Sequence, residues 1–162
     1  MDPEEPTAFV HPLARPDAHL VQDLMLTKIT LLCAQGADDG EWAFELAAME
    51  AAGAPATRGG NAFLFALTLV RYLHALTRAT RPDARIRLAA FPAGFADADV
   101  DGDGRAAAAA WSRDAREIPT SLTAAPVRAM TAEALAVIRA VPLPHPAGLT
   151  AHLPRPYETG AA

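Results

Sequence analysis

Cysteine, lysine and serine are almost missing from this chain of 162 residues. Each scarcity removes a class of protein. A single cysteine, Cys33, excludes an internal disulfide framework. Lys28 stands alone against 13 arginines, and the net charge is −5. Residues 1–81 hold ten acids and six bases, and residues 82–162 hold nine acids and eight bases. Neither half offers the cationic field that a phosphate backbone requires, so no nucleic-acid partner is expected. The two serines, Ser112 and Ser121, lie in no nucleophile elbow. GxSxG, HExxH, CxxC and paired-carboxylate arrangements are all missing. The longest strongly apolar run, Ala62 to Val70, is closed by Arg71. It falls well short of the roughly 20 residues needed to cross a bilayer. The first residues, Met1-Asp2-Pro3-Glu4-Glu5-Pro6, are acidic and proline-rich, the reverse of a secretory leader. The expected compartment is the cytoplasm. Arginine over lysine, with abundant Ala, Pro and Gly, is associated with bacterial genomes of high GC content.

What is present points to helices. Alanine accounts for 39 residues, while Leu, Ile, Val and Phe together account for 35, about 22%. That is enough for a compact core, with little large apolar volume to spare. Prolines 3, 6, 12 and 16 mark residues 1–16 as an extended arm. Asp17 reads as a helix cap, and the pattern is helical from Ala18 to Gln35. Leu20, Leu24 and Leu31 share one face there, beside Val21, Met25 and Leu32, and so apolar a helix is expected to be largely buried. Gly36 is a fitting stop. Asp38-Asp39-Gly40-Glu41 opens a second helix with acids at its N-terminus. Trp42, Leu46 and Met49 form its apolar stripe, and Gly53-Ala54-Pro55 ends it.

Asn61 reads as the cap of the strongest element, a central helix from about Ala62 to Thr80. After the interruption at Arg81-Pro82-Asp83, residues 85–88 alternate as a short strand would, but Pro82 equally suits a helix start. Phe91 to Phe95 reads as a loop. A fourth helix is expected over Arg105 to Ile118, striped by Trp111, Ala115 and Ile118 and stopped by Pro119. A fifth covers roughly Ala124 to Val141, with Thr131 as a possible restart and Leu135, Ile138 and Val141 facing one way. Five prolines then shape a tail over residues 142–162. The expectation is an all-α single domain over residues 17–141, a bundle of four to five helices packed around the 17–35 and 61–80 pair, with proline-rich arms at both ends.

Candidate sites are few. Asp99-Val100-Asp101-Gly102-Asp103-Gly104 resembles the first half of an EF-hand or dockerin-type calcium loop. There, carboxylates at positions 1, 3 and 5 meet a hard cation and a glycine at 6 allows the turn. The resemblance implies Ca2+ as a ligand of Asp99, Asp101 and Asp103. Position 12, a glutamate in that family, is Ala110 here, and position 9 is Ala107. The plainer reading is an acidic cap on the alanine-rich helix, with no cofactor. Arg71, His74 and Arg78 fall at i, i+3 and i+7 on one helical face and form a possible ligand site. A small enzyme or a phosphotransfer module using His74 is one alternative, and a solvated helix end is the plainer one. Arg58-Gly59-Gly60-Asn61 could hold an anion at a helix start, but lacks phosphate-loop spacing. Cys33, inside an apolar stretch, reads as a small buried hydrophobe. Phe9, Val10, Leu13, Leu143, Leu149, Leu153 and Tyr157 supply apolar anchors on the two arms. The expected function is that of a small soluble accessory protein that binds another protein or assembles with itself. Calcium binding through the 99–104 loop is the runner-up.

Overall fold

The computed structural model of the chain describes residues 17–52, 58–80, 88–91, 95, 105–114 and 121–140. They form five helices: α1 (Ala18–Gln35), α2 (Asp39–Ala52), α3 (Arg58–Thr80), α4 (Arg105–Asp114) and α5 (Ala125–Ala140). No strand occurs among the described residues, and the fold is an all-α single domain. The two arms, residues 53–57, the 85–87 segment and the ends expected at Ala115, Ile118, Pro119 and Val141 lie outside the described residues.

The helix ends follow local chemistry. Gly36 ends α1 in the left-handed conformation, with φ 64°. Its N–H donates to Cys33 O and that of Ala37 to Leu32 O, which satisfies two terminal carbonyls. Asp17 occupies the cap position of α1 but makes no side-chain cap bond. Asp38 and Glu41 make a reciprocal box instead. The Glu41 N–H donates to Asp38 Oδ1 at 2.9 Å, and the Asp38 N–H donates to Glu41 Oε2 at 2.8 Å. Asn61 differs from its expected role. α3 begins at Arg58, so Asn61 sits inside the helix and is buried. Thr131 does not interrupt α5. Its hydroxyl donates to Val127 O at 2.8 Å, so the polar group is satisfied within the helix.

Helix α3 is the centre of the molecule. Every side chain from Asn61 to Leu73 is buried. A helix enclosed on all sides explains why this segment is apolar nearly all round. α1 packs on it more extensively than any other pair of helices does, followed by α5. The stripe Trp42, Leu46 and Met49 seats α2 in the core, and Val127, Met130, Ala134, Leu135 and Ile138 do the same for α5. α4 adds Ala107, Ala110 and Trp111. Trp111 meets Phe63 of α3 and Phe95 of the preceding segment edge to face, at centroid distances of 6.4 and 5.4 Å.

Glu133 ties the 88–91 turn to α5. Its two carboxylate oxygens accept the backbone N–H groups of Ala89 and Ala90, at 2.5 and 2.6 Å. Those charge-assisted bonds hold Leu88 and Phe91 in the core. Glu133→Ala leaves both N–H groups to partial solvation. It is expected to cost about 2 kcal/mol, read as a lowered urea midpoint, while Glu133→Gln recovers part of the loss.

Candidate functional site

The described residues present two surface features with the makings of a site. The first is the outer face of α1. The helix meets α3 through Met25, Ile29, Leu32 and Cys33. Leu20, Leu24 and Leu31 point the opposite way and are 63, 54 and 50% exposed. The sequence expectation of a largely buried helix therefore holds for only one side of it. The helix is thus apolar on two opposite faces, and among the described residues only one of them is covered. Leaving roughly half of each leucine in water forgoes about 1 kcal/mol apiece. Thr27 lies between them, and its hydroxyl donates to Asp23 O at 2.9 Å, so covering it would strand no polar group. Lys28 flanks the face and pairs with Glu45 of α2 at 2.9 Å. That bond holds α2 alongside. Phe44, the neighbour of Glu45, is 71% exposed.

The second feature is a cleft of about 300 Å³ between α2 and α5. The two helices run antiparallel and are tied at both ends. At one end Arg139 pairs with Asp39 at 2.8 Å. At the other, the Ser121 and Thr123 hydroxyls donate to the two carboxylate oxygens of Glu50, at 2.6 and 3.0 Å. Between the ties, Trp42, Ala43, Leu46 and Leu135 leave an apolar trough. Its volume sits at the lower limit for small-molecule pockets.

The ligand residues suggested by the sequence are spread by exposure rather than gathered. Arg71 is buried, and its guanidinium donates to Gln22 Oε1 across the α1–α3 contact, at 3.4 Å. His74 is half-buried and Arg78 exposed. The one-face spacing is real, but the stripe runs from the core to the surface, and Arg71 is engaged in joining two helices. Asp99, Asp101 and Asp103 lie outside the described residues. Among the described residues, no group of three or more His, Cys, Asp or Glu side chains is arranged to hold a metal ion. No helix among them is long and apolar enough to cross a membrane.

Among the described residues, Cys33 and Tyr72 form a buried pair whose ionisation is shifted. Both are buried between α1 and α3, and the Tyr72 hydroxyl is hydrogen-bonded to the Cys33 sulfur. Burial pushes the thiol up from its ordinary value, against a smaller opposing effect of the Tyr72 bond. Burial also pushes the phenol up, and the neighbouring Cys33 adds to the rise. A thiol held neutral in the core is a packing group, not a nucleophile. No protein-family model, curated protein or solved structure matches this chain.

Proposed function

We propose that this chain is a helical accessory module that binds another protein chain through the outer face of α1. The observation that carries this reading is the second apolar face of α1, with Leu20, Leu24 and Leu31 half or more exposed and Phe44 standing on the adjoining helix. Large apolar side chains left in water along one helix face mark interaction sites on folded domains. Arginine over lysine, abundant alanine and a lone buried cysteine support a bacterial cytoplasmic setting.

The test is photo-crosslinking in cells that natively make the chain. A photoreactive residue at position 24 is expected to give discrete protein adducts, and the same group at Ala47, exposed on α2, is expected to give none. Adding Leu20→Glu and Leu31→Glu should abolish the position-24 adducts. Equal labelling at both positions, or none at 24, sinks the reading.

A further inference from the structure

We infer that the occupant of the α1 face is a second copy of this chain, packed parallel and in register along α1. The inference rests on the interaction reading and names its partner. Leu20, Leu24, Thr27 and Leu31 are spaced by four, three and four residues, the alternation of a two-stranded helical seam. All four are exposed, and so is Ala34, the next position of the repeat. A surface with this repeat is best filled by a helix carrying the same repeat, and α1 itself is such a helix.

Charge complementarity fixes the orientation. Asp23 flanks the seam on one side and Lys28 on the other, five residues apart. In a parallel pair, a residue at the first flank faces the residue five positions further along the partner helix, so Asp23 of each copy meets Lys28 of the other, twice over. An antiparallel pair sets like flank against like flank and forms neither contact. Lys28 has three N–H donors and a side chain 37% exposed, so it can keep Glu45 and still accept a second carboxylate. Phe44 is 71% exposed on α2, the helix that Lys28 reaches through Glu45. The arrangement is isologous and closes as a dimer. Two heptads per copy put the interface near the low end of specific contacts, about 1,000 Å². Association is therefore concentration-dependent.

The full chain is tested by sedimentation over a concentration series, together with disulfide trapping. The wild type is expected to pass from one chain to two as concentration rises. Leu24→Glu should remain a single chain throughout, with an unchanged helical spectrum. Asp23→Lys should weaken association by about tenfold or more. Under mild oxidation, Leu24→Cys should give covalent dimers, whereas the wild type should give none, because Cys33 is buried. A wild type that stays monomeric overturns the inference, as does a dimer that Leu24→Glu leaves intact. Preferential trapping of Leu20→Cys with Leu31→Cys overturns the parallel register. A monomer that still yields position-24 adducts to a different chain overturns self-association and leaves the interaction reading standing. A monomer without adducts removes both.

Discussion

Phe63→Ala is expected to destabilise the domain by about 3–5 kcal/mol. Phe63 is 1% exposed on α3 and makes edge-to-face contacts with Phe95 at 6.1 Å and with Trp111 at 6.4 Å. Phe95 in turn packs on Phe91 at 5.5 Å. The four rings join α3, α4 and the segment between them, so deleting one opens a cavity and removes two ring contacts. The effect is large relative to the whole, because a domain of ordinary stability holds only about 5–15 kcal/mol. It is also poorly compensated, since a chain with 39 alanines has few large side chains able to relax into the gap. Urea titration should show a much lower midpoint with an unchanged slope. Phe44→Ala is the matched control. It deletes the same group from a position 71% exposed, and in dilute solution it should change stability by less than about 0.5 kcal/mol. Equal losses in the two variants would mean that the ring cluster is not what holds α4.

The helical plan was legible because its signals are local. The stripe Trp42, Leu46 and Met49, the stop at Gly36 and the all-apolar run of α3 each depend on neighbours within a turn or two. The bounds of α1 and the burial of α3 follow from that alone. Three features were not legible in the same way. The start of α3 lies at Arg58 rather than after Asn61, because tertiary packing encloses Asn61 and overrides its preference for a cap. The inner and outer faces of α1 could not be ranked. Leu20, Leu24 and Leu31 are as hydrophobic as Met25, Ile29 and Leu32, and only the position of α3 decides which set is covered. The signal was present in the chain as apolar residues on two opposite faces, together with a four-three-four spacing. On the proposed reading it marks a helix with two partners, where a single amphipathic stripe marks one. Arg71, His74 and Arg78 share a stripe as the spacing implies, yet depth separates them, and spacing carries no information about depth.

Raising the pH above about 8.5 is expected to destabilise the domain through Cys33 and Tyr72. Both groups have higher pKa values folded than unfolded, because burial penalises the thiolate and the phenolate. The sign follows from proton counting. Below the unfolded thiol value, near 8.5, both states hold the same protons and the stability contribution is complete. Above it the unfolded chain releases a proton that the folded chain keeps, so stability falls as pH rises. A second loss begins near pH 10, where the unfolded tyrosine ionises. Each group that ionises only in the unfolded chain adds a slope of about 1.4 kcal/mol per pH unit, until the folded group itself titrates. Urea midpoints between pH 7 and 11 should therefore be flat and then bend downward in two stages. Tyr72→Phe should remove the later stage, and Cys33→Ala the earlier one. The double variant should retain only the gentle decline that general charge repulsion produces. Alkylation of Cys33 at pH 8 supplies an independent reading, since its rate should follow the fraction unfolded rather than the thiolate fraction of a free cysteine. An undiminished bend in the double variant would place the alkaline weakness elsewhere in the chain and would leave the buried pair as packing alone.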